Sequence, residues 1–420
     1  MNARRRAPFP RPPRPSPFPS RSSIFPLAPR SFTSNPARSI SRLLLCAALL
    51  PAALSAQQTI AAEPVAAIAP PRTPLPAESA SAGVQRFSFI VYGDTRGRRD
   101  GVDPQYEHSL IVESMLRTIA RLRTGPDAVR FVLQSGDAVV NGRDAAQWNR
   151  SFVGLVNRLT TEGGVPYFLA PGNHDVTGSD DLANPGRAEG LRNYLAAMAR
   201  LIPADGATRR LSGYPTYAFG FGNTFVLAID SNIADDSTQF AWARAQLEGL
   251  DRRRYTHIAA FFHHPPFSSG PHGGSRIERP TQQVRDRWMP LFRKHDVDLV
   301  FTGHEHFFEH WVERWKGTDG RWRRMDQVVT GGGGAPLYNY LGEPDLAPYL
   351  RAGAADSVRV QHLAKPGMNP GDNAYHYVVV HVDGARVWHE VIGIDWGAGF
   401  APYRSNRSAL SDSVGVLTPR

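Results

Sequence analysis

Five short stretches of this 420-residue chain carry the side chains that could do chemistry. They are Gly93-Asp94, Gly136-Asp137 with Gly142 shortly after, Gly172-Asn173-His174-Asp175, His263-His264-Pro265-Pro266, and Gly303-His304-Glu305-His306. Together they offer carboxylates, one amide and at least three imidazoles, with no thiolate. That mixture suits borderline and hard divalent ions such as Mn, Fe, Zn, Ni or Co, and an excess of donors over four points to two ions rather than one. Two ions about 3.5–4 Å apart share a bridging water, lower its pKa toward neutrality and neutralise the oxygens of a phosphate. The chemistry implied is hydrolysis.

Taken singly, each stretch has an ordinary explanation. Asp and Asn beside Gly make turns, and a pair of loop histidines is commonly just solvated. Position makes the set informative, because every stretch closes an apolar run that reads as a buried strand. The run from Phe87 to Tyr92 stops at Asp94, that from Val129 to Leu133 at Asp137, and that from Val165 to Ala170 at Asn173. Ile258 to Phe262 stops at His263, and Val297 to Phe301 at Gly303-His304. Between the runs, Ile111, Met115, Ile119 and Leu122 recur at helical spacing, as do Val284, Trp288, Leu291 and Phe292, with a kink expected at Pro290. A further helix is expected around Leu191 to Leu201 and a further strand from Thr224 to Ile229. Tyr375 to Val382 and Ala385 to Ile394, joined by Asp383-Gly384, read as an antiparallel hairpin. Strands alternating with helices bring strand ends to one edge, where open α/β sheets build their sites.

In their order, from about Phe87 to about Ile394, the five stretches resemble the motifs of the calcineurin-like metallophosphoesterases, the superfamily that includes purple acid phosphatases. The resemblance implies an α/β fold, a four-layer α/β/β/α sandwich of two sheets between helices, with a dinuclear metal centre. It also implies roles. Asp137 would bridge both ions, Asp94 and His306 would bind the first, and Asn173, His263 and His304 the second. His174 would bind no metal but approach the leaving-group oxygen, with Asp175 orienting it. His263 is preferred to His264 because the family's ligand precedes the variable residue before Pro; His264 and His272 read as loop or substrate-facing residues.

Two departures from the family pattern carry information. The family usually has His two residues after the first Asp, where this chain has Arg96. A guanidinium has no lone pair for a metal, so Arg96 is expected to contact the substrate phosphate or a nearby carboxylate, with His108 or water filling the vacancy. Purple acid phosphatases place Tyr three residues after the second Asp; Val140 stands there, so a tyrosinate–iron colour is not expected.

The resulting expectation is an exported metal-dependent phosphohydrolase acting on small phosphomonoesters or phosphodiesters. A metal-bridging hydroxide would attack in line, and His174 would protonate the departing oxygen. Two alternatives stand beside it: a phosphate-recognising protein of low or no activity, motivated by Arg96, and a nuclease or phospholipid diesterase. The net charge of +10 does not favour nucleic acid, since residues 1–56 hold nine Arg and no Asp, Glu or Lys, leaving +1 for the rest.

Those first residues read as an Arg/Pro/Ser-rich leader followed by the apolar run Leu43 to Leu54, too short for a stable membrane span. The pattern is that of a secretory signal cleaved near Ala56, with an organelle transit peptide as the alternative. A secreted or periplasmic protein follows from the first. Cys46, the single cysteine, lies inside this leader, so the remainder can make neither disulfides nor a thiolate site. Residues 57–84 are Ala/Pro-rich and read as a linker, 85–395 as the catalytic domain and 396–420 as a tail.

Overall fold

The computed structural model describes residues 63–274, 276–352, 358–395, 399–403 and 414–417. The leader, its apolar run and the expected cleavage site near Ala56 lie outside them.

The first half of the chain opens with β1 (Arg86–Tyr92), α1 (Tyr106–Leu122) and β2 (Val129–Gln134). A helical run over 147–163 follows, with α2 (Val153–Arg158) as its middle turns, and then β3 (Tyr167–Leu169) and α3 (Pro185–Met198). Next come β4 (Tyr217–Phe221), β5 (Thr224–Ala228), α4 (Ser237–Glu248) and β6 (His257–Phe261). After α5 (Arg279–Gln283) and α6 (Met289–Lys294) come β7 (Leu299–Thr302), β8 (Phe308–Lys316) and β9 (Trp322–Thr330). The described part closes with α7 (Ala347–Ala352), β10 (Arg359–Ala364), β11 (His376–Asp383), β12 (Arg386–Asp395), β13 (Gly399–Pro402) and β14 (Val414–Leu417).

These strands form two mixed sheets. One has the order β13-β12-β11-β1-β2-β3, with β14 also on β12; the other runs β10-β8-β9-β7-β6-β5-β4. In the first, β1, β2 and β3 are parallel; in the second, β5, β6, β7 and β9 are. The parallel strands read as continuous apolar runs because both of their faces are covered. Between the sheets Phe89 meets Phe301 edge-on at 6.0 Å, and Phe131 meets Phe219 at 5.3 Å. Outside the first sheet lie Ile111, Met115 and Ile119 of α1; outside the second lie Ala243 and Leu247 of α4 with Trp288, Met289 and Phe292. Helices therefore cover both outer faces of the paired sheets, the four-layer α/β sandwich expected.

Two expected boundaries need adjustment. Residues 63–84, read as a linker, are bonded to the body: Ile68 is fully buried and donates its N–H to Ala197 O, while Ala66 and Ala69 donate to the side chains of Asn149 and Asn157. The segment shows no period because most of it runs as an irregular strap held through main-chain bonds, with a short 3-10 turn at Glu78–Ser81 whose Glu78 carboxylate accepts from Arg209 and Tyr255. The tail from 396 contributes β13 and β14, so the sheet extends past residue 395. The β8–β9 hairpin and β10 gave no apolar alternation, because buried positions of β8 carry Glu309, His310 and Glu313, each with a polar partner. Near Pro290 the helix widens over 284–288, where the missing N–H of proline breaks the regular ladder.

Candidate metal centre

Asp94, Asp137, Asn173, His263 and His304 all follow the carboxyl ends of parallel strands, namely β1, β2, β3, β6 and β7. Asp94, Asp137 and His304 have φ of +60°, +55° and +70°, a left-handed conformation that costs non-glycine residues on the order of 1–3 kcal/mol and persists only where surroundings enforce it. Here the loops lace one another. Asp94 N–H donates to Gly136 O at 2.9 Å, Thr95 and Arg96 N–H to Asp137 O, and Gly142 N–H to His174 O at 2.9 Å. His304 N–H donates to the Asp94 carboxylate at 2.9 Å. Glycine is required for two of these approaches: a Cβ on Gly172 would stand 2.2 Å from Asp137 Oδ1, and one on Gly303 would stand 2.2 Å from Asp94 Oδ2.

The three motif histidines share one device. Each donates from one ring nitrogen to an oxygen behind it, leaving a lone pair on the other nitrogen that faces the centre. His263 Nδ1 bonds Ser135 O at 2.9 Å, His306 Nδ1 bonds Pro336 O at 2.7 Å, and His304 Nε2 bonds Glu278 Oε2 at 3.0 Å. The freed atoms converge. His263 Nε2 lies 2.8 Å from Asn173 Oδ1, 3.1 Å from His304 Nδ1 and 3.4 Å from Asp137 Oδ1. On the other side His306 Nε2 lies 3.5 Å from Asp94 Oδ1. The structure thus brings together all six residues expected as ligands.

Burial holds His263 and His304 well below the ordinary imidazole range, and burial with the nearby Arg96 pushes His306 down to about 4. All three are neutral at physiological pH, the state a ligand needs. Burial, then the charge of Asp137, pushes Asp94 well above the carboxylate range. For Asp137 burial also acts upward, but His174 and Arg96 outweigh it and hold the group below its usual value. Arg96 acts downward on both carboxylates, yet only Asp137 ends below its usual value.

The donors divide into two halves that differ in fit. Asn173 Oδ1, His263 Nε2, His304 Nδ1 and Asp137 Oδ1 converge without a cationic side chain among them, and His264 joins His263 and His304 in a set whose ligand atoms lie within 4.8 Å of one another. This half suits a divalent ion of the Zn or Mn class. Asp94, Asp137 and His306 form a second such set, but the Arg96 guanidinium enters it, with Nε 3.1 Å from Asp137 Oδ2 and Nη2 3.3 Å from His306 Nε2. Of the two contacts expected for Arg96, the carboxylate is the one present.

Two sequence assignments are corrected. Asp175 does not orient His174: its Oδ1 accepts from Ala138 N and Val139 N, and its Oδ2 from Gly172 N at 2.8 Å. Its work is to tie the second and third motif loops together. His174 Nδ1 instead donates to Val140 O at 2.7 Å, which leaves Nε2 at the mouth of the site, 4.0 Å from Asp137 Oδ2. His108 does not fill the vacancy near Arg96; it is buried on α1 between Tyr92 OH and Gln105 Oε1, at 3.0 and 2.8 Å.

Four contributors escaped sequence reasoning. Glu278 anchors His304, Tyr338 stacks on His306 at 4.0 Å, and Ser231 Oγ accepts the N–H of both His263 and His264. Glu305, fully buried, accepts from His272 N at 2.8 Å and fixes the loop after β6. Of these only Glu305 lay inside a motif; the others come from loops with no repeated spacing.

Residues 88–308 match the family model of calcineurin-like phosphoesterases, and the chain belongs to that family. Among curated relatives it is similar to purple acid phosphatase 23 of Arabidopsis thaliana, 23% identical over 294 residues that cover 68% of this chain and 55% of that one. It is likewise similar to a protein of the same plant named "Probable inactive purple acid phosphatase 27", 22% identical over 264 residues, covering 60% and 42%. The chain spans about half the length of these relatives. A solved purple acid phosphatase from yellow lupin (Lupinus luteus) seeds shares the fold at a TM-score of 0.54 and 17% identity, over 80% of this chain and 57% of that one.

Proposed function

We propose that this protein is an exported, metal-dependent phosphohydrolase that cleaves phosphomonoester or phosphodiester bonds of small molecules. The observation that carries the reading is the convergence of lone pairs: Asn173, His263, His304 and Asp137 aim four donor atoms at one point, and both rings are anchored from behind. Donors so arranged repel one another unless a cation lies between them. A bound divalent ion supplies positive charge to phosphate oxygens and makes a water acidic enough to attack at neutral pH.

The side chains do the rest. Asp137 reaches both halves of the centre, Oδ1 toward His263 and Oδ2 toward Arg96. The Arg96 guanidinium, partly open to the mouth, presents its remaining N–H groups to a phosphate oxygen. Because Nδ1–H of His174 donates to Val140 O, the imidazolium form of the ring carries a second proton on Nε2, and it is this proton that would pass to the leaving oxygen as the bond to phosphorus breaks. Attack opposite that oxygen inverts the configuration at phosphorus.

The export part of the proposal rests on the leader and its apolar run, and no helix among the described residues is long and apolar enough to cross a membrane. The second reading, phosphate recognition with little turnover, is favoured by the ionic contact of Arg96 to Asp137. Hydrolysis of chromogenic phosphomonoesters and diesters by the purified chain, before and after chelation and metal return, separates the two. Chelator-sensitive, metal-restored turnover supports the proposal; phosphate binding without turnover under every metal supports the alternative.

A further inference from the structure

We infer that the centre is a one-ion centre in which the guanidinium of Arg96 permanently takes the place of the first cation. The inference rests on the proposed metal-dependent reading and departs from the two-ion arrangement that the family resemblance implies.

Three observations converge. First, the donor set is short: Asp94, Asp137 and His306 group there, His174 stays 4.0 Å from Asp137 Oδ2, Arg96 stands where a fourth ligand would come, and Val140 is apolar. Second, the guanidinium bonds to the atoms an ion would use, Asp137 Oδ2 at 3.1 Å and the lone-pair nitrogen of His306 at 3.3 Å. His306 Nδ1 is already spent on Pro336 O, so its Nε2 can only accept. Third, the arginine is held in place. Its backbone N–H donates to Asp137 O, its side chain is 17% exposed, and Tyr338, stacked on the His306 ring, interacts with it.

A guanidinium stays protonated at any pH a folded protein meets, so it cannot yield these positions by losing its charge. Binding an ion there would set a divalent cation directly against a fixed positive charge, and like charges in contact repel strongly where water is largely excluded. The other half has no such resident. Its donors meet only one another and Asp137, and His264 stands by as a further nitrogen. Arg96 thereby gives the phosphate a permanent, metal-independent contact on one side and leaves the Lewis acid on the other.

The test counts metal. The full chain is loaded with excess Mn, desalted, and its bound metal measured by mass spectrometry, alongside R96H. About one ion per wild-type chain and about two per R96H chain are expected, because histidine restores a ligand and removes a charge. The Mn-loaded wild type should also give the paramagnetic spectrum of isolated ions, a readout that stands even if R96H folds poorly. Two ions per wild-type chain, or an exchange-coupled pair in its spectrum, overturns the one-ion inference and leaves the phosphohydrolase reading intact. No ion at all, with no turnover, overturns both.

Discussion

Two regions of this molecule bury ionisable side chains, and they treat them in opposite ways. On the flank built by β8, β9 and β10, opposite charges find each other within the protein. Glu313 accepts from Arg293 at 2.5 Å and from Tyr349 OH at 2.7 Å, and Asp326 takes His310 and Arg324, each at 2.6 Å. At the strand ends the Asn173 half of the centre does the reverse, gathering electron-rich atoms that face one another. On the flank Glu313 and Asp326 already have a cationic partner, whereas this half gains one only with a bound ion. Between these extremes lies the Arg96 half, which uses the flank's solution, a guanidinium on a carboxylate, inside the centre itself. Burial alone therefore does not mark a site; the absence of a complementary charge does.

Substitutions should split the two regions. The largest effect is expected from His263→Ala, which removes a central donor: bound metal and hydrolysis should both fall to background while the chain stays folded, read by metal analysis and a phosphate-release assay. Glu313→Ala on the flank should do the opposite, costing about 3–5 kcal/mol of stability by stranding Arg293 and leaving the metal count of the folded fraction unchanged. A variant that lost metal on the flank would break the comparison.

Next in size, His174→Ala should lower turnover by about 10²–10⁴-fold, more for poor leaving groups than for good ones; equal losses on both would refute a proton-donor role. Glu278→Gln keeps the shape but weakens the anchor behind His304, so metal affinity should drop by about 10–100-fold, measured by competition with a chelator. The smallest effect belongs to the flank. Partial burial acts upward on Glu343, but hydrogen bonds from His362 and Lys365, together with their charges, outweigh it and hold the group at about 2 against its usual 4.5. A depressed acid contributes stability that is fully present above pH 4.5 and is lost as pH falls toward 2. Glu343→Gln should flatten the acid side of a melting-temperature profile over that window, with no change in metal content.

What the sequence revealed follows the same physics. The five stretches were legible because each closes an apolar run, and runs buried on both faces are visible without structure; the choice of six ligands within them came from the family resemblance. Asp175 was misread because adjacency to His174 says nothing about direction: its carboxylate turns back onto Gly172 N and Ala138 N. His108 was misread because helical spacing does not reveal that its ring is spent on Tyr92 and Gln105. Glu278, Ser231 and Tyr338 sit in loops far along the chain, brought in only by closure of the two sheets. The β8–β9 hairpin was hidden for a reason the flank explains, since paired charges inside a core look like surface in a sequence.

Anomalous diffraction from crystals of the full chain soaked in Mn or Zn tests the central claim most directly. The account predicts a single strong peak within coordination distance of Asn173, His263, His304 and Asp137. A peak of equal height beside Arg96, or none between those four side chains, would contradict it.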